Sequence, residues 1–323
     1  PSGDGDELYK RVDRINWLRH LTADSTLAVD AVVSQSGLDN SLFVAQRTKD
    51  AIVDQIRKRH DRRPSVDLAN PDLRINIYIY KDLATLSLDS SGEPLQRRGY
   101  RTEGGKAPLN EVLAAGIIAL TGWDQVSPLV DPMCGSGTLV IEAALKARRI
   151  APGLIRNKFA FMNWKDYASS LYEKLCQEAR DGILPELSFE IVGSDKDQRQ
   201  IEDARANAER AGVSDNIRFE TSPFTELTPP SSPGTLVVNP PYGERLKMAD
   251  IGSLYSSLGD TLKKKYQGYD AFIFTGSREA AKKIGLRASR KFPLYNGPME
   301  CRLLKFEMYL GSRKARKQED RDD

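Results

Sequence analysis

The sequence predicts an α/β protein: a mostly parallel sheet wrapped by helices and closed by an antiparallel hairpin, with a smaller α+β region in front of it. Three observations predict this. Beyond about residue 107, short apolar runs alternate with amphipathic stretches of helical length, the pattern of parallel strands joined by crossover helices. Before residue 90 the order of elements is different, and the stretch between is rich in glycine, arginine and serine without periodicity. Finally, a glycine-bearing turn, D-P-M-C-G-S-G-T at 131–138, follows an apolar run and precedes a helix. An open α/β sheet binds its ligands at such strand ends.

Taken in chain order, apolar residues at helical spacing (Leu8, Val12, Ile15, Leu18) predict a helix over 6–21, and alternation predicts a strand over 26–33. A second helix is expected over 41–60, burying Phe43, Ala51, Ile52 and Ile56. The runs 73–80 and 84–88, separated by Lys81 and Asp82, read as a hairpin. Residues 1–89 thus form the α+β domain and 90–106 the linker. In the larger domain, 107–312, helices are expected over 110–121, 138–149, 197–211 and 251–266. Strands are expected over 129–131, 189–194, 217–220, 236–239 and 271–275. The runs 286–292 and 303–309 flank the turn-forming Y-N-G-P and should make the closing hairpin. The charged tail 313–323 is expected to be disordered.

With 323 residues the chain is long enough for two domains. It lacks an apolar run of membrane-spanning length and opens without a signal sequence, so a cytoplasmic location is expected. It begins at Pro1 rather than methionine, and residues upstream are expected to be missing. Three scattered cysteines and two histidines offer neither a disulfide framework nor metal-ligand spacing, so no metal is expected. A net charge of +3 is modest, but basic residues cluster at 57–63, 97–101 and 313–317. Arg57, Lys58, Arg62, Arg63, Arg97, Arg98 and Arg101 are candidate phosphate contacts. A solvated helix end, a linker and a frayed tail would account for the same runs.

In the 131–138 turn, Gly135 and Gly137 let the backbone pass close to a ligand. The spacing is neither the dinucleotide fingerprint nor the phosphate loop, and no lysine follows to meet a triphosphate. Asp195, closing the next strand in V-G-S-D, is placed to accept hydrogen bonds from the ribose hydroxyls of an adenosine-containing ligand. Ser194 or Asp195 could instead cap the helix that follows. The second diagnostic segment is N-P-P-Y, 239–242. Two prolines freeze the backbone after a strand and hold a carbonyl outward. The Pro240 carbonyl and the Asn239 side-chain oxygen could accept the two protons of an amino group, aiming its lone pair at a methyl donor. Tyr242 offers a flat face to an unpaired base. An ordinary strand-ending turn would use similar residues.

These segments carry a resemblance. R-R-G-Y-R with A-P-L-N-E-V-L-A-A, D-P-M-C-G-S-G-T-L-V-I-E-A-A, A-P-G-L and N-P-P-Y-G-E-R-L resemble the class I amino methyltransferases, and within them the THUMP-containing guanine-N2 methyltransferases of bacterial 23S ribosomal RNA, the RlmL type. R-T-K-D-A-I-V-D and P-D-L-R-I-N-I-Y in the first region look like that family's RNA-binding THUMP domain. The resemblance implies a Rossmann-like sheet, S-adenosyl-L-methionine as cofactor and RNA as partner, in a protein expected to act as a monomer. It implies that Asp131, Pro132, Cys134, Gly135, Gly137 and Thr138 surround the donor's methionine part, approached by the segment with Pro108 and Asn110. Asp195 and Lys196 would lie at its ribose, and Ser222 and Pro223 near its adenine. The chain departs from the family there, with Pro223 where an acidic residue often stands. Asn239, Pro240 and Tyr242 would position the amine, Asn239 also touching the donor, and Pro241, Tyr242 and Arg245 would meet the nucleic acid. Cys134 is read as structural, because amino-group methylation needs no covalent base adduct. The alternatives kept open are transfer RNA guanine-N2 methylation, DNA adenine-N6 methylation, a catalytically silent RNA-binding protein, and a small-molecule or protein-glutamine methyltransferase.

Overall fold

The computed structural model describes residues 4–81, 83–101, 109–242 and 248–309. Pro108, Arg245, residues 102–106 of the expected linker and the charged tail lie outside the described residues. The chain divides into two compact units, one of residues 1–95 and 157–176, the other of 96–156 and 177–323. The contacts therefore group the chain differently from a single division at 90–106, since a later segment returns to the first unit.

The first unit contains α1 (Gly5–Asp13), β1 (Thr26–Ser34), α2 (Ser41–His60), β2 (Ser65–Val66), β3 (Leu73–Tyr80) and β4 (Leu83–Leu88), in a sheet of order β2-β1-β3-β4. β1 runs parallel to β2 and β3, whereas β3 and β4 form the antiparallel hairpin expected at Lys81. The helix expected to reach residue 21 stops at Asp13. Gln55 of α2 explains the stop: its amide donates to the carbonyls of Asp13 and Ile15 and accepts from the Trp17 backbone, satisfying groups that a continued helix would pair internally. In α2, Asn40 caps the Phe43 amide at 3.0 Å. Phe43 itself, expected in the core, is 44% exposed. The buried stripe is Val44, Thr48, Ala51, Ile52 and Ile56, and Phe43 in the first turn covers Gly5 instead. Residues of the returning segment form an aromatic cluster of Phe159, Phe161, Tyr167 and Tyr172.

The second unit runs α3 (Glu111–Thr121), β5 (Leu129–Asp131), α4 (Thr138–Ala147), then, after α5 (Ser169–Asp181), β6 (Ile191–Asp195), α6 (Gln198–Arg210), β7 (Ile217–Thr221), β8 (Gly234–Val238), α7 (Met248–Lys265), β9 (Tyr269–Thr275), α8 (Arg278–Lys282), β10 (Arg290–Asn296) and β11 (Met299–Glu307). The sheet order is β10-β11-β9-β8-β5-β6-β7. β5 to β9 are mutually parallel, and β11 is antiparallel to both its neighbours. Alternate residues of the central strands feed cores on the two faces: Leu129, Ile191 and Val237 pack with α3, α4 and α6, while Val130, Val192, Leu236 and Val238 pack with α7 and α8.

The first strand of the closing hairpin lies at 290–296 rather than 286–292. Leu286 and Ala288 pack beside the α7 core instead. The strand itself carries Pro293, which lacks an amide donor and is tolerated because β10 is the sheet edge. Among the described residues, no helix is long and apolar enough to cross a membrane.

Candidate methyl-donor and target-base site

β5 lies between β6 and β8, with Val130 opposite both Val192 and Leu236. The chain goes from β5 to one neighbour through α4 and reaches the other only after β7, so the carboxyl ends of β5 and β8 flank the topological switch point where open α/β sheets take ligands. The 131–138 turn leaves β5 there, and N-P-P-Y leaves β8 beside it.

Gly135 (φ 52°) and Gly137 (φ 85°) adopt left-handed conformations, and a Cβ on Gly137 would stand 3.0 Å from that of Ala204. Gly137→Ala should therefore lower stability by about 1–2 kcal/mol, read as a fall in Tm. Gly116→Ala on the exposed face of α3, where a Cβ meets nothing within 4 Å, should hold or raise it by up to about 1 kcal/mol.

The turn is laced to β6 and α6. Cys134 N donates to the Ser194 carbonyl at 2.8 Å, Asn207 Nδ2 to the Ser136 carbonyl at 3.0 Å, and Arg210 to Asn207 Oδ1. Asp195, half-buried, reaches back across the turn. Its carboxylate accepts from Gly135 N at 3.1 Å and Asp197 N at 3.0 Å. Capping of α6 falls to Asp197, which accepts from Arg199 N. The helix cap that Ser194 or Asp195 could have supplied is thus Asp197.

Asp131 is 1% exposed and accepts from the Met133 amide at 3.1 Å. Among the described residues it has no basic partner. Burial, with some help from the Asp195 charge, pushes its carboxyl up to about 8. Burial likewise holds the Cys134 thiol well above its usual range, with the Asp131 and Asp195 carboxylates adding to it, so the thiolate a nucleophile needs is disfavoured. Pro132 and Thr138 are buried in the turn, whereas Lys196 is exposed. Ser222 donates its amide to the Asp195 carbonyl at 3.0 Å and accepts from Ser194 Oγ at 2.8 Å, and Pro223 is exposed. Asn110 is occupied as the cap of α3, accepting from Leu113 N at 2.7 Å.

Asn239 is half-buried, and its Oδ1 is buried without a hydrogen-bond partner among the described residues. An unmade bond of this kind is unfavourable, so the oxygen is able to accept a hydrogen bond. Pro240 is buried; Pro241 and Tyr242 are half-buried. Burial raises the Tyr242 hydroxyl to about 12, so it stays protonated.

The R-R-G-Y-R residues behave differently from a phosphate patch. Arg98 pairs with the buried Glu142 of α4 at 3.4 Å, with its side chain only 13% exposed. Tyr100 donates to the same carboxylate at 3.1 Å. Arg101 turns to the Leu109 carbonyl and Glu111. Buried carboxylates need such partners, so this stretch anchors the second unit, leaving Arg97 exposed. In the first unit Arg57, Lys58, Arg62 and Arg63 are exposed at the end of α2, where Arg57 pairs with Asp54 and Arg62 with Asp24. No residue in the sequence signalled Asn207, Arg210 or Glu142, whose roles depend on contacts distant in the chain. Among the described residues there is no His, Cys, Asp and Glu group able to hold a metal.

Residues 98–305 match the family described as the RMKL-like methyltransferase domain. The chain belongs to that family. Residues 3–89 match the THUMP domain, so an RMKL-like methyltransferase domain follows a THUMP domain in one chain. The ribosomal RNA large subunit methyltransferase K/L of Syntrophotalea carbinolica is 48% identical over 94% of this chain, which spans 44% of that relative's length. The crystal structure of SMU.472 complexed with SAH superposes with a TM-score of 0.88 at 33% identity, covering 97% of this chain and 82% of that one. A Listeria monocytogenes protein, named by prediction as an N6-adenine-specific DNA methylase, superposes with a TM-score of 0.85 at 31% identity, covering 96% and 80%. These similarities extend through both the RMKL-like domain and the THUMP domain.

Proposed function

We propose that this chain transfers the methyl group of S-adenosyl-L-methionine to the exocyclic N2 amine of a guanine in 23S ribosomal RNA, in the cytoplasm. The observation that carries the reading is the buried Oδ1 of Asn239, unpartnered among the described residues, at the strand end next to the glycine turn. The residues present fit the donor. Left-handed Gly135 leaves the backbone open to a close-lying ligand, Asp195 presents a carboxylate to ribose hydroxyls, and Asp131 is a buried carboxyl with no basic partner among the described residues.

When bound, the donor supplies an electrophilic methyl on a sulfonium. The protein's part is to prepare the amine. Its lone pair is delocalised into the base, which makes it a poor nucleophile. Accepting its protons at Asn239 Oδ1 and the Pro240 carbonyl favours a tetrahedral nitrogen and stabilises the charge that develops there, as preorganised dipoles do. Holding the amine in line lowers the barrier further. Tyr242 gives the base a face to stack on. No strong general base is needed, since the product amine sheds its proton readily.

The name of the Syntrophotalea relative favours ribosomal RNA, while that of the Listeria protein favours DNA adenine. Offering 23S ribosomal RNA, transfer RNA and DNA with labelled donor, then identifying the modified nucleoside by mass spectrometry, separates the readings. N2-methylguanosine confined to ribosomal RNA is expected. N6-methyladenosine in DNA, or N2-methylguanosine only in transfer RNA, contradicts the proposal.

Asp131 gives the donor site a pH dependence. With its carboxyl pushed up to about 8, it is mostly protonated at neutral pH, and a cationic ammonium beside it favours the carboxylate. Donor binding should therefore release a proton near pH 7, and affinity should rise with pH until about 8 and then level. Calorimetry in buffers of different ionisation enthalpy measures the release. Proton uptake, or none, removes Asp131 from that role.

A further inference from the structure

Tyr242 is held from several sides by strands distant from it in sequence. Asn296, at the end of β10, donates from Nδ2 to the phenol oxygen at 3.1 Å. Cys301 Sγ on β11 lies 3.9 Å from the same oxygen. Phe274 on β9 meets the ring edge-on, with centroids 6.2 Å apart and planes at 80°. Gly276, just past β9, leaves the ring its room: a Cβ there would stand 3.1 Å from Tyr242 Cδ2 and 2.8 Å from Met299 Sδ. The ring is thus fixed at its hydroxyl, by a T-shaped contact with Phe274, and beside Gly276. Packing alone would be served by a phenylalanine, without an amide spent on the hydroxyl.

We infer that Asn296 and Gly276 are positioning residues for the reaction, setting the plane of Tyr242 so that the target base stacks on a ring already oriented. This rests on the proposed role of Tyr242 as the stacking face. The antiparallel hairpin would then align the base as well as complete the sheet. A base displaced by about 1 Å from the in-line geometry can lose as much as a hundredfold in rate, which gives the ring's orientation its kinetic weight.

Asn296→Ala and Tyr242→Phe remove the same hydrogen bond from opposite ends. With S-adenosyl-L-methionine and transcribed 23S ribosomal RNA, each should lower kcat/KM for RNA by about tenfold, as for one uncharged hydrogen bond. The Kd for S-adenosylhomocysteine should stay unchanged. The double variant should be no slower than the slower single one, because both changes break one interaction. Additive losses, or an equal loss of donor affinity, overturn the assignment. Gly276→Ala presses on the ring without touching the hydrogen bond, and should also lower kcat/KM with donor affinity intact; it keeps the question open to measurement if Asn296→Ala does not fold. A readout apart from activity separates this inference from the proposed reaction. In protein labelled with ¹³C-tyrosine, Asn296→Ala should speed flipping of the Tyr242 ring, and an unchanged Tyr242 signal overturns the clamp whether or not RNA is methylated.

Discussion

Asn239→Ala is expected to lower methyl-transfer turnover by roughly two to three orders of magnitude, the loss typical of removing one oriented partner of a developing charge. Two features of the structure sharpen that expectation. Among the described residues the Asn239 oxygen makes no hydrogen bond, so its removal deprives none of them of a partner and Tm should hold. Asn239 follows β8, which adjoins β5, but is not among the residues lacing the 131–138 turn, so donor affinity should stay nearly intact. Asn239→Asp keeps an acceptor at the same point and should retain more turnover than alanine. Single-turnover assays with saturating donor provide the measurement. Turnover of Asn239→Ala within a few-fold of the unmodified protein would remove Asn239 from the chemistry.

Asp195→Ala should act on the other substrate. Its carboxylate holds the Gly135 and Asp197 amides and is the proposed partner of the ribose hydroxyls. Hydrogen bonds to a charged group contribute about 1.5–3 kcal/mol each, so donor affinity should fall by at least about tenfold. Because the same carboxylate shapes the glycine turn, Asp195→Asn, with one acceptor left, should fall in between. Titration calorimetry with S-adenosylhomocysteine decides it: a Kd unchanged in Asp195→Ala would leave the carboxylate a turn-shaping residue only.

Much of the fold was legible because its pattern is carried by neighbours in sequence. The alternation after residue 107 placed β5 to β9, and the Lys81 and Y-N-G-P turns placed both hairpins. What escaped was structure without a buried face. Helix α5 carries Leu171, Tyr172 and Leu175 at helical spacing yet has no buried residue, and β10 disguises itself with Pro293 and an exposed alternation. Phe43 shows the converse: it fits the apolar period of α2 but lies in the first turn, where α1 rather than the sheet is its neighbour. For the site, D-P-M-C-G-S-G-T and N-P-P-Y were readable because local backbone geometry demands their glycines and prolines. Arg98 and Arg101 were not, because a cluster of arginines in sequence does not reveal that Glu142 and Glu111 wait in the interior. The partnering of Tyr242 by Asn296 is equally silent, as 54 residues separate the two.

For methyl transfer the glycine turn after β5 and the N-P-P-Y segment after β8 must serve one cleft. A crystal structure of the full chain with S-adenosylhomocysteine tests this most directly. It should show the ribose on Asp195, the amino-acid end beside Gly135 and Asp131, and the thioether sulfur facing the Asn239 oxygen. Density for the ligand elsewhere, or a sulfur turned away from Asn239, would contradict it.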